Sequence, residues 1–326
     1  MAEPLVSIIT PCYNCEKWVG RYLERILRQT YDKIELIIIN DGSTDGTEEI
    51  ILSYSDKIAA RGYTLVYRRQ ENKGLGGAIN TGLKLISGEY FTWCDSDNFY
   101  TDNYVEATVA FFAAHEEYAV VRCDGNVVDE SDTETTLSKM SDGNTELFCE
   151  KLFYNALLNK NFHFGCAMLR TRDFDAINPE REIYESREGQ NWQLMLPMLY
   201  AYRAGYMDRA MFYFVQRKNS ISHAASADKD KMLAQTRELI NILTITVKGM
   251  KIPEEEKCLR LIEDKYDKVF LYLASVYKDR ALLKKQYKKL KNKKQLDAWC
   301  RKTYYFSKYP PIRAASRLLH RLRGAV

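Results

Sequence analysis

The chain has no apolar run as long as the roughly 20 residues that a membrane-spanning helix needs. Its longest candidate, Ala107 to Ala114, sits on a predicted helix beside polar residues. The N-terminus Met1-Ala2-Glu3-Pro4 carries no basic stretch followed by an apolar one, so no secretory signal is read there. These two absences predict a cytoplasmic, reducing location. Nor is there a cysteine framework. The eight cysteines are scattered, and Cys94, Cys123, Cys149 and Cys166 lie in apolar segments, as buried thiols do. Cys12-Tyr13-Asn14-Cys15 has C-x-x-C spacing, but the absence of a second pair argues against zinc or redox use. Internal repeats are missing. No strand-bounded G-x-G-x-x-G opens the chain either, which excludes the dinucleotide fingerprint.

What is present is an ordinary globular composition, 46% hydrophobic and 28% charged over 326 residues. The net charge of +4 is unevenly placed. From Lys278 to Val326 there are 16 Lys+Arg against two acids, so the remaining 277 residues carry 4 − 14 = −10. An acidic body with a basic tail points to an anionic partner for the tail.

The first half alternates strand and helix signals. Leu5 to Thr10 and Ile34 to Ile39 read as buried strands, Tyr63 to Tyr67 and the run ending at Cys94 as a third and fourth strand, with a fifth at Tyr118 to Arg122. Between them come a helix with Trp18, Tyr22 and Ile26 at helical spacing, one from Asp45 with Glu48 as a capping-box partner, one opened by Gly74, Gly76 and Gly77, and one from Asp102 to His115. This predicts an α/β fold, a mostly parallel sheet flanked by helices, whose ligands bind beyond the carboxyl ends of the strands. Asp124 to Glu146 reads as a long loop, Leu147 to Leu158 and Asn191 to Arg203 as helices, Phe162 to Leu169 and Met211 to Val215 as strands. Beyond Asp228 the signals are helical only. The predicted division is 1–225 for the α/β domain and 226–326 for a helical, basic C-terminal extension.

Two acid-bearing turns stand out. Ile37-Ile38-Ile39-Asn40-Asp41-Gly42-Ser43 is strand, acid, turn. Phe91-Thr92-Trp93-Cys94-Asp95-Ser96-Asp97 repeats the pattern with two carboxylates. Acids at the mouth of a buried strand are costly unless a cation lies between them, and a divalent metal carrying phosphate is the simplest such cation.

Four ordered segments, Val6 to Asn14, Ile39 to Thr47, Asn72 to Gly82 and Cys94 to Asn98, resemble family 2 glycosyltransferases of the GT-A fold over about residues 4 to 215. The resemblance implies a nucleotide-sugar donor, usually a UDP-sugar, and a Mn or Mg ion. It implies Thr10 and Tyr13 at the base-binding edge, Asp41 on the uracil or ribose, and Asp95, Ser96 and Asp97 as the D-x-D, with Asp97 the principal metal ligand. Many relatives have Arg where Ile79 stands, and Lys73 is the candidate to replace its charge. Arg217, Lys218 and His223 have the chemistry to close over a diphosphate, with His223 joining the metal.

One departure concerns catalysis. Inverting relatives carry Glu-Asp before a tryptophan, the Asp being the general base. Here the stretch reads Glu188-Gly189-Gln190-Asn191-Trp192. An amide accepts no proton at neutral pH, so Asn191 is not a base. Three readings stay open: Glu188 (or Glu185) as base, Asn191 positioning the acceptor while another acid acts, or a weak or inactive, sugar-nucleotide-binding or scaffold protein. A nucleotidyltransferase is disfavoured because no Gly-rich, basic phosphate loop follows the first strand.

In the tail, lysines between 284 and 294 surround Leu282, Leu283, Tyr287 and Leu290, and Pro311 to Arg323 places Ile312, Ala315, Leu318, Leu319 and Leu322 on one helical face. This is the pattern of an interfacial helix on an anionic membrane, with Trp299, Tyr304, Tyr305, Phe306 and Tyr309 as a headgroup belt. A helical pair docked on the body or at a homo-oligomer interface is the alternative; nucleic acid is not the expected partner. Together these readings predict an inverting glycosyltransferase peripheral at the inner membrane face. It adds a sugar to a lipid-linked or polysaccharide acceptor in cell-surface glycan synthesis.

Overall fold

The computed structural model describes residues 3–141, 152–158, 166–217 and 228–309. The chain divides into two compact units, Met1–Lys218 with Ile245–Met250, and Asn219–Thr244 with Lys251–Val326.

The first unit is built on β1 (Val6–Cys12), β2 (Ile34–Asn40), β3 (Thr64–Arg69), β4 (Tyr90–Trp93), β5 (Phe99–Tyr100), β6 (Tyr118–Asp129), β7 (Asp132–Lys139), β8 (Ala167–Arg170) and β9 (Arg203–Gln216). The sheet runs β3-β2-β1-β4-β8-β6-β9-β5, with β7 hydrogen-bonded to β6. β3, β2, β1 and β4 are mutually parallel, β8 is antiparallel to both its neighbours, and β9 is parallel to β6. The sheet is therefore parallel at its amino-terminal side and mixed beyond it. Helices α1 (Val19–Leu27), α2 (Thr47–Ser53), α3 (Ser55–Ala60), α4 (Gly74–Leu83), α5 (Tyr104–Ala114), α6 (Phe153–Leu157), α7 (Thr171–Ile177) and α8 (Gln190–Ala201) complete the unit.

β2, Ile-Glu-Leu-Ile-Ile-Ile-Asn, is buried at every position, as a central parallel strand must be. Glu35 within it is tolerated because it accepts hydrogen bonds from Ser7 Oγ at 2.7 Å and Ser87 Oγ at 2.7 Å. α1 presents Val19, Tyr22, Leu23 and Ile26 to the core, each burial contributing roughly 1.5–3 kcal/mol before entropy costs. After β3 the chain returns to the other side of β1 to form β4. This reversal of strand order opens a crevice beyond the ends of β1, β2 and β4.

Several local expectations fail for identifiable reasons. The predicted loop from Asp124 contains the end of β6 and all of β7, a hairpin whose second strand is exposed along nearly its whole length. An edge strand facing water carries no hydrophobic alternation, and its threonines supply the β preference instead. The capping box before α2 does not form. The helix starts at Thr47, whose N–H is met by Asp45 Oδ1 at 3.1 Å, while Glu48 turns to Arg69. The predicted helix to Leu158 appears as Phe153–Leu157 and the predicted strand to Leu169 as Ala167–Arg170; 147–151 and 162–165 lie outside the described residues.

The second unit is helical, with Glu255–Val276, Arg280–Asn292 and Ala298–Lys308 following the long helix Lys229–Gly249. Leu271, Ala274, Leu283, Leu290 and Cys300 form its apolar centre. Asp267, buried beside it, is paired with Lys289 at 2.7 Å and Lys293 at 2.8 Å. No described helix is long and apolar enough to cross a membrane. The predicted helix Pro311 to Arg323 lies outside the described residues.

Candidate active site

The crevice collects three turns. At the end of β2, Asp41 is 3% exposed, and one carboxylate oxygen accepts from Gln70 Nε2 at 2.7 Å and from the Lys73 N–H at 2.9 Å. Asp41 thereby fastens the β2 turn to the start of α4. Gly42 permits this closeness: its φ is +77°, and a Cβ there would lie 3.0 Å from the Asn72 nitrogen. At the end of β1, Tyr13 is 53% exposed. The following Asn14 takes a left-handed φ of 47° and binds the β2 turn, its Oδ1 accepting from Thr44 N–H at 2.8 Å. Thr10 behaves otherwise than expected. Its side chain is fully buried and its hydroxyl is hydrogen-bonded to the Tyr22 hydroxyl, so it offers no side-chain edge to a ligand. A residue three places inside a central parallel strand is covered by the helix packed on that face.

The third turn follows β4. Asp95 is pushed up to about 7, first by burial and then by the neighbouring Asp97 charge. Asp97 is also raised by burial, against the opposing pull of Arg217. Arg217 Nη2 stands 2.5 Å from Asp97 Oδ2, and its guanidinium lies 4.3 Å above the Trp18 ring. Arg21 donates to the Asp97 carbonyl at 2.9 Å. Asn98 braces the turn from below, accepting from the Val215 N–H at 2.9 Å. Ser96 is buried within this turn. The Cys12 and Cys15 thiols contact each other, and Cys15 is drawn down to about 7, chiefly by the hydrogen bond from Cys12. Two acids that resist sharing one buried place, with only oxygen donors, suit a hard divalent cation. No group of three or more His, Cys, Asp or Glu ligands occurs among the described residues. His223 and Lys218 lie outside them.

The opposite wall is the start of α8. Gly189, at φ 81°, precedes the helix, and no side chain caps the first turn. Asn191 Oδ1 accepts from Trp93 Nε1 at 2.6 Å, which joins α8 to the strand that bears the acid pair. Glu188 is half-buried, its carbonyl accepting from Ser186 Oγ. The preceding loop is held by α4. Asn80 bonds Ile183 twice, at 2.9 and 2.8 Å, and the Gly76 N–H donates to Ser186 O at 2.7 Å. A Cβ at Gly76 would lie 2.7 Å from Ser186 N and 2.9 Å from Tyr184 O, so the glycine cluster serves the contact between α4 and this loop. Ile79 is fully buried, while Lys73 at the helix start is exposed.

Asp41 is thus tied to the Lys73 backbone, Asp97 to Arg217, and Asn191 to Trp93, on the strand that leads into Asp95-Ser96-Asp97. Sequence reasoning missed Trp18, Arg21 and Trp93. Each acts on a partner far away in sequence, and an aromatic or arginine on a helix or strand carries no local sign of that.

A family profile described as "Glycosyl transferase family 2" matches residues 7–178. An uncharacterized glycosyltransferase of Rickettsia typhi is 46% identical over 104 residues, covering 32% of this chain and 30% of that protein. Glycosyltransferase GlyA of Streptococcus pneumoniae is 27% identical over 212 residues, 65% of this chain and 26% of that protein. The chain therefore spans less than a third of either relative's length. Among solved structures, S. aureus TarS in complex with UDP-GlcNAc superposes with a TM-score of 0.60 at 19% identity, covering 81% of this chain and 73% of that one. The mannosyltransferase PcManGT from Pyrobaculum calidifontis, in complex with GDP-Man and Mn2+, gives 0.52 at 18% identity, covering 94% and 86%. At these identities the structures speak for the fold, and the matched profile for the family: the chain belongs to glycosyl transferase family 2 and has the GT-A fold.

Proposed function

We propose that the chain is a metal-dependent, inverting glycosyltransferase. It moves a sugar from a nucleotide diphosphate, UDP in first place, to a hydroxyl of a lipid-linked or polysaccharide acceptor. The observation that carries this is the Asp95–Asp97 pair at the strand-order reversal, two raised carboxyls answered by Arg217. Asp97 and Asp95 would hold Mn or Mg, which neutralises the charge that develops on the departing diphosphate. Arg217 binds the diphosphate oxygens from the Trp18 side. Asp41 and Tyr13 flank the nucleoside, Asp41 through its remaining acceptor capacity and Tyr13 through its exposed ring. Lys73 adds positive charge at the start of α4.

On the acceptor side Glu188 is the base. Its carboxylate takes the hydroxyl proton as the oxygen bonds to C1 of the sugar. The C1–O bond to the diphosphate breaks, and the diphosphate leaves with the electron pair. Asn191 positions the acceptor. In this reading residues 1–225 act as the transferase domain and 226–326 as the basic extension, on the inner face of a membrane.

A second reading is a sugar-nucleotide-binding protein without turnover. It is favoured by the amides at Gln190 and Asn191. Purified protein with Mn and a panel of nucleotide sugars separates the two when nucleotide release is followed by NMR. Slow metal-dependent release from one donor, lost in Asp97→Ala, supports transfer. Binding without release, even when acceptor glycans are supplied, supports the second reading, and no binding of any donor defeats both.

A further inference from the structure

The helix Ala298–Lys308 turns its two sides to different environments. Cys300 is completely buried against Leu271, Leu283 and Leu290. On the other side Trp299, Tyr305 and Tyr309 stand 46%, 46% and 43% exposed, alongside Arg301, Lys302 and Lys308. Large amphipathic rings interleaved with cations, and no acid on the exposed side of the helix, are unusual for a face meant only for water. The neighbouring helix Glu255–Val276 adds Tyr272, 52% exposed, whose ring lies 6.4 Å from that of Trp299.

The helix Arg280–Asn292 sorts its lysines in a complementary way. Lys289, together with Lys293 just beyond the helix end, reaches back to Glu263 and Asp267. Lys284, Lys285, Lys288 and Lys291 are exposed and form no ion pair with a described residue. Tyr287 lies between these lysines and stacks on Tyr304 at 3.9 Å, so the free lysine row borders the aromatic face.

We infer that this aromatic-and-lysine face of the C-terminal helices is a docking surface for an anionic lipid bilayer. Trp and Tyr prefer the depth of the headgroups, and lysines beside them extend to the phosphates. Charge complementarity selects anionic lipid: the segment from Lys278 onward carries +14 by the count above. Single-stranded nucleic acid is the competing anionic partner: Tyr287 and Tyr304 cover one another and offer it no open face, whereas Trp299 and Tyr305 stay exposed, so the competition below separates the two. The inference deepens the reading of a membrane-side acceptor and rests on it only for the purpose of docking, since vesicle binding and donor turnover are measured separately.

The test is co-sedimentation of the full chain with phosphatidylcholine vesicles, with and without phosphatidylglycerol, at low and high salt. Binding is expected only with phosphatidylglycerol and should weaken with salt. Joint replacement Lys284→Gln, Lys285→Gln and Lys288→Gln should weaken partitioning roughly a hundredfold, at about fivefold for each lysine charge removed. Trp299→Ala with Tyr305→Ala and Tyr309→Ala should weaken it about tenfold or more and remove its persistence at high salt. Both variants should keep wild-type helical content and wild-type donor turnover. The proposal is overturned if the wild type ignores anionic vesicles. It also fails if folded variants bind as well as wild type, which would place docking in residues 310–326, or if a single-stranded RNA competitor strips wild-type protein from the vesicles.

Discussion

Arg217 holds its guanidinium 2.5 Å from the Asp97 carboxylate while stacking 4.3 Å above Trp18. The arginine stands beside one of the two acids proposed to receive the metal, so before donor arrives the two cations oppose each other. Arg217→Ala should therefore strengthen Mn binding to the free protein by about tenfold, the scale of one partly buried charge contact. The same substitution should lower donor turnover by roughly 10²–10³, because a charged contact to the leaving diphosphate is lost. Mn titration by electron paramagnetic resonance and nucleotide release by NMR would read the two effects. Equal loss of both would mean that Arg217 only shapes the turn.

Gly76 predicts a second separation. A methyl group there meets the backbone of Ser186 and Tyr184, which cannot rotate aside as a side chain would. Gly76→Ala should cost about 1–3 kcal/mol in a urea denaturation series. It should also displace the 183–188 loop and with it Glu188, so turnover should fall while donor affinity changes little. A fall in donor affinity alone would move the importance of this loop to the nucleotide side.

β1, β2 and β4 of the parallel half were legible because they are largely apolar, buried runs closed by Asp, Gly and Asn turns. Burial on both faces leaves that mark, and the same turns announced Asp41, Asp95 and Asp97. β7 was not legible, being exposed, and two-residue β5 is too short to leave a pattern. The site's cross-braces were hidden for another reason. Trp93 meets Asn191 across 98 positions and Arg21 meets Asp97 across 76. Such pairings belong to the closed sheet and not to any stretch of chain. Thr10 shows the converse error: a residue placed correctly on its strand, whose side chain the packing of α1 then claims.

Asp297 offers a test of the helical unit by pH. Its carboxylate caps Ala298–Lys308 by accepting from the Cys300 N–H at 2.7 Å and pairs with Lys268 at 2.6 Å. Lys268, then the cap, lower its pKa from 3.8 to about 2. A lowered carboxyl stabilises the fold above its ordinary pKa, and that stability is lost as pH falls from 3.8 through 2. Asp297→Ala should thus cost about 0.5–2 kcal/mol at neutral pH. The difference from wild type should shrink toward zero across that acid window, as followed by thermal melts. A gap that stays constant down to the acid end would assign the loss to packing.

Trp93 and Asn191 bear on the identity of the base. Indole Nε1–H can only donate, so the Asn191 atom facing it at 2.6 Å is the carbonyl oxygen, and the amide NH2 is the group left to meet an acceptor. Asn191 can then orient an acceptor oxygen but not take its proton. Glu188→Gln should therefore lower turnover by roughly 10²–10⁴ without changing donor binding. Asn191→Asp should leave the Trp93 contact intact and present a carboxylate oxygen where the NH2 was. In the Glu188→Gln background it should recover part of the lost rate, with a pH profile displaced from that of wild type. If Glu188→Gln is silent and Asn191→Asp alone raises the rate, Glu188 is not the base and the wild-type chain works without one at this wall.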